Sequence, residues 1–280
     1  MVALSNKVAA PVTPFLRWAG SKRRQLPQLA GRVNISFTRY IEPFAGSACL
    51  FFHLQPRAGV LGDKNRELIA LYRCVRDNPL RLHRRLAGIP RDSDTYYRWR
   101  SLDPDQLDSE DRALRFLYLN RNCFNGIYRT NVAGRFNVPF GRDVGRFLTR
   151  VQLLACATAL RRVSLVSGDF EETLARVQRG DFVYLDPPFA VSGRRVFRQY
   201  DEAPFSTDDV PRLGKQLRRI SRVGAKFLVS YADCREAREL AAEWASRKIQ
   251  VRRHVAGFVG DRARAYEWLI TDTPSMLATD

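Results

Sequence analysis

Short apolar runs alternate with helical stripes along most of this chain. Five runs are typical of buried strands: residues 40–41, 58–62, 163–166, 182–185 and 226–230. Apolar residues recur at helical spacing in three sets: Leu68, Leu71, Tyr72 and Val75; Leu213, Leu217 and Ile220; and Ala237, Leu240, Ala241 and Trp244. Strands that alternate with helices form a largely parallel sheet that is covered on both faces. The pattern therefore predicts an α/β fold whose ligands bind at the carboxyl ends of the strands.

The alternation breaks between about residues 76 and 150, where charged helical segments precede a polar, glycine-bearing stretch. Within that stretch, residues 124–140 have hairpin character: Ile127 and Tyr128 precede Ala133-Gly134, and the apolar residues Phe136 and Val138 alternate after it. We therefore predict that residues 76–150 form an inserted domain, mostly helical with a β-hairpin. Residues 1–75 and 151–280 then form one discontinuous sheet domain.

The composition is that of a globular protein with an unusual charge. Hydrophobic residues make up 45% of the 280 residues and charged residues 27%, which is enough apolar material for a packed core. Lys and Arg number 47 against 29 Asp and Glu, so the net charge is +18 and the isoelectric point about 10.4. Such a charge attracts polyanions, and nucleic acid is the first partner to consider. Because 41 of the 47 are Arg, a genome rich in Arg codons would explain the same excess, and charge alone does not decide.

Cysteine spacing and apolar run length bear on metal binding and compartment. Five scattered cysteines, never spaced C-x-x-C, argue against a disulfide framework and against a zinc site. No run approaches the roughly 20 apolar residues that a membrane helix needs. Pro11 also interrupts the apolar N-terminus, which argues against a signal peptide. We expect a soluble, cytoplasmic protein that binds no metal.

Asp186-Pro187-Pro188-Phe189 directly follows the fourth predicted strand and is the most informative motif. An exocyclic amine such as adenine N6 is a poor nucleophile until acceptors hold its two hydrogens. Asp186 offers a carboxylate, and Pro187 offers a backbone carbonyl whose direction Pro188 restricts. Phe189 offers a flat face on which a base can stack. The motif suits methyl transfer to an amine, although Asp-Pro-Pro is also a common way to end a strand in a turn.

Three further strand ends carry residues that suit the methyl donor S-adenosylmethionine. The motif Glu42-Pro43-Phe44-Ala45-Gly46 follows the first strand, and its glycine allows close approach of the backbone. Asp63 ends the second strand, where an acid can accept hydrogen bonds from ribose hydroxyls. Asp169 and Phe170 follow the third strand and can bind and flank the cofactor adenine. Each acid alone is better explained as a helix cap, but three at successive strand ends favour a cofactor site.

Several different motifs follow one another in order along nearly the whole chain. They are Phe15-Leu16-Arg17-Trp18-Ala19-Gly20-Ser21-Lys22, the two strand-end motifs at 42–46 and 186–189, Phe205-Ser206-x-x-Asp209, and Tyr266-Glu267-Trp268-Leu269-Ile270. Together they resemble the Dam-type DNA adenine-N6 methyltransferases of the D12 class. The resemblance is densest over residues 116–141, which look like the target-recognition hairpin of that family.

The resemblance implies a fold, a cofactor and residue roles. The fold would be a Rossmann-like sheet of an S-adenosylmethionine-dependent methyltransferase, with helices on both faces and an inserted, mostly helical target-recognition domain with a β-hairpin. The catalytic motif would be Asp186, Pro187, Pro188 and Phe189. The implied cofactor-binding residues are Trp18, Ala19, Gly20, Lys22, Glu42, Phe44, Gly46, Asp63, Asp169, Phe170 and Asp186, with Lys22 near the methionine carboxylate. The implied DNA-binding residues are Arg17, Phe124, Asn125, Ile127, Arg129, Pro139 and Arg142.

The implied reaction is site-specific methylation of an adenine that is flipped out of double-stranded DNA, with GATC as the first expected target. Three departures from the family pattern stand out: Phe189 replaces the more frequent Tyr, Ala48 replaces a Gly, and Arg17 replaces the frequent Lys. A DNA-binding relative without activity, or a methyltransferase that acts on RNA adenine, are the alternatives. The acid at position 186 argues against cytosine N4 and glutamine as acceptors, whose enzymes usually carry Ser or Asn there.

Overall fold

A seven-stranded sheet with helices around it forms the described part of the chain. The structure is a computed structural model that describes residues 11–131, 133–142, 145–188, 205–252 and 264–278. The strands are β1 (Tyr40–Glu42), β2 (Gly59–Asp63), β3 (Val163–Ser167), β4 (Phe182–Leu185), β5 (Lys226–Ala232), β6 (Ala245–Arg252) and β7 (Arg264–Thr271). The helices are α1 (Leu26–Arg32), α2 (Cys49–Leu54), α3 (Arg66–Asp77), α4 (Pro79–Ala87), α5 (Ser93–Ser101), α6 (Ser109–Asn122), α7 (Arg150–Leu160), α8 (Phe170–Leu174), α9 (Asp209–Val223) and α10 (Arg235–Ala241).

The strand order creates a crevice at the centre of the sheet. The order is β3-β2-β1-β4-β5-β7-β6, in which β1 to β5 are parallel and β7 runs antiparallel to both of its neighbours. The chain builds outward from β1 to β3 on one side, then returns to place β4 on the other side of β1. Ligands of open α/β sheets bind at such a reversal, outside the carboxyl ends of the strands. The predicted α/β fold with a largely parallel sheet is confirmed.

Two hydrophobic clusters cover the two faces of the sheet. Successive residues of a strand point to opposite faces, so Tyr40 joins one cluster and Ile41 joins the other. The Ile41 cluster holds the buried faces of α9 and α10. The Tyr40 cluster also contains Tyr96 of α5 and Phe116 of α6. Residues from the segment predicted to be an inserted domain therefore share a hydrophobic core with the sheet.

The segment between α3 and α7 is mostly helical and ends in an antiparallel ribbon. After α4, α5 and α6, isolated antiparallel bridges join Thr130 to Phe136 and Cys123 to Phe140. These are the residues predicted to form a hairpin, although the described part of this ribbon contains no regular strand. The domain boundaries at residues 76 and 150 stay a prediction.

One helical prediction is wrong at its end. The stripe at Ala237, Leu240 and Ala241 lies in α10, but the helix ends at Ala241 because the chain turns there into β6. Trp244 lies in that turn, and its ring packs edge-on against Phe227 at 5.0 Å between centroids. The apolar side chain is used for packing, as the stripe suggests, but from outside the helix.

Candidate active site

Four acidic residues that the sequence predicts for the site lie at the carboxyl ends of the neighbouring strands β3, β2, β1 and β4. Glu42 is the last residue of β1, Asp63 is the last of β2, and Asp186 directly follows β4. Asp169 follows β3 and begins α8. Because these four strands are adjacent and parallel, the structure brings the acids that the sequence singled out to one edge of the sheet. This edge is the candidate active site.

Asp186 lies at the centre of a chain of polar contacts. The Lys22 ammonium is 3.1 Å from Asp186 Oδ1 and 2.9 Å from Oε2 of Glu267. The Ser230 hydroxyl donates to the same Oδ1 at 3.1 Å, and Tyr184 Oη lies 2.8 Å from Ser230 Oγ. Glu267 is buried, whereas the Asp186 side chain is 25% exposed. Lys22 and Ser230 thus hold the Asp186 carboxylate on its buried side, and its exposed part is accessible from the crevice.

Burial and charge shift the pKa values of this group in a consistent way. Burial raises the pKa of Asp186, and the charge of Glu267 adds to the shift while the Lys22 ammonium opposes it. For Lys22, burial acts to lower the pKa, but the two carboxylates outweigh burial and raise it. Lys22 therefore stays protonated at neutral pH and supplies a fixed positive charge beside Asp186.

Lys22 has two carboxylate partners within the protein itself. The resemblance puts it near the methionine carboxylate, and the structure buries it between Asp186 and Glu267. Its binding to the cofactor stays a prediction. The sequence marks Glu267 only as part of the C-terminal motif at residues 266–270 and assigns it no role in the site, although one signal was available: it is an acid inside the apolar run of β7. A charged residue in a buried strand needs a partner.

The turn after β1 is built around Gly46, as the sequence predicts. The φ angle of Gly46 is +47°, and a Cβ atom added there would lie 2.8 Å from Nε1 of Trp18. Its N–H donates to Oδ2 of Asp63 at 2.9 Å, and Asp63 Oδ1 accepts the N–H of Asn65 at 2.9 Å. Trp18 in turn stacks on Tyr128 at 5.9 Å. The backbone of the turn therefore packs closely against Trp18 and is hydrogen-bonded to Asp63.

Glu42 is the most deeply buried acid of the edge. The Tyr40 hydroxyl donates to Glu42 Oε2 at 3.0 Å. Burial raises the pKa of Glu42 well above its ordinary value.

Ala19 and Gly20, which belong to the predicted cofactor motif, lie in the turn that precedes the short 3-10 helix at Lys22.

Asp169 caps a helix, which is the alternative that applies to any single acid of this kind. Its carboxylate accepts the N–H of Glu171, and the Glu172 side chain accepts the N–H of Asp169, so the two form a capping box. Nη2 of Arg212 donates to Asp169 Oδ1 at 2.8 Å. The Arg212 guanidinium also lies 4.8 Å from the ring centroid of Phe170. Whether Asp169 also binds a cofactor stays a prediction.

Aromatic rings lie on the same side of the edge as Asp169. The centroid of Phe170 is 5.5 Å from that of Phe44, and Phe205 contacts both rings. Of the catalytic motif, Pro187 is buried and Pro188 is exposed. Phe189 lies outside the described residues.

Most residues predicted to bind DNA are accessible. Phe124, Asn125, Pro139 and Arg142 are exposed, and the Phe124 side chain is a large apolar group with 44% of its surface exposed. Ile127 and Arg129 are half-buried. Asn125 has a φ angle of +53°, in the left-handed region. The ribbon thus presents polar and apolar groups side by side.

Arg17 connects the N-terminal motif to α6. Its N–H donates to Oδ1 of Asn120 at 3.0 Å, and Nδ2 of Asn120 donates back to the Arg17 carbonyl at 2.6 Å. Burial, together with the charges of Arg17, Arg91 and Arg23, lowers the pKa of nearby Arg121 to about 10. These four residues, the arginine cluster, concentrate positive charge where the N-terminal motif meets α6.

One cleft in the described part of the chain is lined partly by arginines. A cleft of about 530 Å³ lies between α5 and the ribbon, and Arg100, Arg115 and Arg135 are among its lining residues. It contains none of the four edge acids. In the described ranges, no group of three or more His, Cys, Asp or Glu residues could hold a metal ion. No helix in the same ranges is long and apolar enough to cross a membrane.

Comparison with known proteins identifies the family. Residues 18–255 match the family model described as D12 class N6 adenine-specific DNA methyltransferase. The type II methyltransferase M1.LlaDCHI of Lactococcus lactis subsp. cremoris is 32% identical over 96% of this chain and 98% of its own. The DNA adenine methylase of Serratia marcescens is 34% identical over 91% of this chain and 96% of its own length. The DNA adenine methylase of Escherichia coli K12 is 28% identical over 94% of this chain and 96% of its own length. The chain therefore belongs to the D12 class of N6 adenine-specific DNA methyltransferases.

Proposed function

We propose that this enzyme transfers the methyl group of S-adenosylmethionine to N6 of an adenine that is flipped out of duplex DNA. The observation that carries the proposal is the position of Asp186. Its carboxylate lies at the reversal of strand order, is partly exposed, and is held by Lys22 and Ser230 through one oxygen. That leaves an acceptor beside a rigid Pro-Pro backbone, which is what a purine amine requires.

The residues at the edge of the sheet fit the proposed cofactor. Gly46 and Trp18 shape a close backbone turn, Asp63 provides carboxylate oxygens for ribose hydroxyls, and Phe44 and Phe170 offer flat faces for adenine. When bound, S-adenosylmethionine would supply an electrophilic methyl group on a sulfonium. The fit supports the cofactor-binding roles that the family resemblance implies for these residues.

Asp186 and Pro187 would activate the amine. Asp186 accepts one N6 hydrogen and the Pro187 carbonyl accepts the other, which turns the nitrogen lone pair away from the purine ring. The new N–C bond then forms as the C–S bond breaks, and one amine proton is lost to solvent after transfer. Lys22 holds the carboxylate in place throughout, because its own two ion pairs fix the ammonium.

Base flipping would bring the adenine to this site. A stacked adenine cannot reach a carboxylate that lies in a crevice at a sheet edge, so extrusion is required. The exposed ring of Phe124 suits stacking beside the base pair that flipping disturbs. Phe189 is proposed to stack on the flipped base.

The charge distribution supports duplex DNA as the substrate. The arginine cluster lies where the N-terminal motif meets α6, and further arginines line the cleft beside the ribbon, so cationic partners for DNA phosphates lie near the predicted target-recognition residues. We propose that Arg129 contacts base edges and that GATC is the first target to test, because residues 116–141 resemble the family hairpin most closely.

The decisive experiment is Asp186→Ala. We expect methyl transfer from labelled S-adenosylmethionine to a GATC duplex to fall by about a hundredfold or more, because one of the two amine acceptors is lost. Binding of the duplex, measured by fluorescence anisotropy, should stay within about twofold. Asp233→Ala is the matched control: this acid also pairs with a lysine beyond the end of a strand, but it is not among the described groups that bond to Asp186 or shift its pKa.

Three results would contradict the proposal. Near-normal transfer by Asp186→Ala would remove the catalytic role of the carboxylate. A wild-type protein that binds the duplex without any transfer would be the inactive relative. Transfer to RNA but not to duplex DNA would point to the RNA enzyme.

A further inference from the structure

Glu267 is a buried acid that no step of the proposed reaction uses. It lies in β7, opposite Ala232 of β5, and only 2% of its side chain is exposed. An ionised carboxylate at such a depth is costly unless a cation pairs with it. A cation that pairs with it is the ammonium of Lys22, at 2.9 Å. The ion pair connects β7, which lies two strands away from β4, to the candidate active site.

Lys22 is shared between this acid and the catalytic one. Its ammonium lies 3.1 Å from Oδ1 of Asp186, and the Ser230 hydroxyl donates to that same atom. Within the described ranges, Oδ2 of Asp186 has no hydrogen bond. An ammonium with a single buried carboxylate as partner would draw in both of its oxygens, since charge-assisted bonds are the strong ones. A second carboxylate behind the ammonium opposes that movement.

We propose that Glu267 is a positioning residue for Asp186: it holds Lys22 from behind, limits the ammonium to one oxygen of Asp186, and leaves the other oxygen to the substrate amine. The inference rests on the proposed function, because it assumes that Asp186 accepts a hydrogen of that amine. Glu267 itself touches neither substrate nor cofactor.

The surroundings of Asp186 allow the role of Glu267 to be measured by pH. Among the described residues, the groups that face Asp186 are Lys22 from the N-terminal motif, Glu267 from β7, Ser230 from β5, Tyr184 from β4 and Glu42 from β1. The charge of Glu267 contributes to the raised pKa of Asp186. Removal of that charge therefore lowers the pKa of Asp186. Since activity requires the ionised form, the acid limb of the pH–rate profile should move to lower pH.

The test is Glu267→Gln, an isosteric change that removes the charge and keeps an oxygen for Lys22. We expect kcat on its plateau to fall by about tenfold or more, because the ammonium competes with the amine for Asp186. The KM for S-adenosylmethionine should change by less than about twofold. The acid limb should move to lower pH. Glu267→Asp, which restores the charge, should return the limb towards that of the wild type.

Asp233→Asn is the matched control. Asp233 is a lysine-paired acid too, at 2.6 Å from Lys248 Nζ, and it bonds the indole of Trp268, the neighbour of Glu267. This variant should keep both the plateau and the limb of the wild type. Glu267→Gln with wild-type kcat and an unshifted limb, or with lower stability and an unshifted limb, would overturn the inference while the proposed function stands. A wild-type enzyme without methyl transfer would instead overturn the proposed function, and the inference with it.

Discussion

Ala48 shows how strictly the turn after β1 prescribes its backbone. The residue is buried, with φ +47° and ψ 44°, in the left-handed region that favours glycine. A side chain in that conformation costs about 1–2 kcal/mol. The family pattern that the chain resembles commonly has Gly at this position, and this chain holds Ala in a backbone conformation that favours Gly. The replacement therefore carries a strain that Gly would not have.

Arg129 is the residue whose role in target choice is easiest to test. Its Nε donates to Oδ1 of Asn137 at 2.7 Å, so the guanidinium is aimed across the ribbon. A bidentate arginine contact to guanine discriminates by about 1–3 kcal/mol per base pair. We expect Arg129→Ala to methylate near-cognate sites at raised frequency, with an unchanged KM for S-adenosylmethionine, as measured by methylation-sensitive sequencing.

Arg135→Ala provides the comparison for that experiment, because Arg135 is exposed on the same ribbon. A phosphate-contacting cation should weaken binding about equally for all sequences and leave the ranking of sites unchanged. If Arg129→Ala kept the wild-type site preference, the proposed base contact would be wrong.

At the scale of elements, α3 connects Asp63, at the end of β2, to the helical segment between α3 and α7. Asn65 caps α3 by accepting the Leu68 N–H at 3.0 Å, and its own N–H is bonded to Asp63. We expect Asn65→Ala to lower the free energy of unfolding by about 1 kcal/mol, because the cap is lost. Urea denaturation followed by circular dichroism would measure the change. Asn65→Asp retains the acceptor and should unfold at the wild-type midpoint; an equal loss in both variants would rule out the cap as the cause.

Four of the five strands that the sequence predicts, β1, β2, β4 and β5, consist mostly of buried residues, whereas β3, at one edge of the sheet, is only partly buried. All four residues of β4 are buried, so its apolar run is continuous and its bounds of 182–185 are confirmed. The sequence pattern does not predict β6 as a strand. It lies at the edge of the sheet and carries Arg247, Lys248 and Gln250, so no apolar run marks it.

The candidate active site was predictable where local sequence determines it. An acid after a buried strand must lie at the carboxyl edge, which is why Asp63 and Asp186 could be named in advance. The contact of Lys22 with Glu267 could not be predicted in this way. The two residues are 245 positions apart, and nothing near Lys22 distinguishes it from a surface cation. Only the assembled sheet brings them together.

At the scale of the whole molecule, the net charge of +18 should govern DNA binding. Each phosphate that the protein neutralises contributes about −0.9 to the slope of log K against log salt. With six or more such contacts, affinity for a duplex should fall by about a thousandfold or more between 50 and 200 mM salt. Fluorescence anisotropy across that range would measure the slope. A slope near zero would mean that the arginine excess reflects codon usage, while binding of S-adenosylmethionine serves as the salt-insensitive control.

The common hydrophobic core of the sheet and the helical segment has a consequence for protein engineering. Tyr96 and Phe116 pack in the same cluster as Tyr40 and Phe182. A chimaera that received its helical segment from a relative would therefore inherit mismatched packing beneath it. Transplanted specificity would need compensating changes in α3 and the sheet, so evolving new targets by single substitutions in the ribbon is the more accessible route.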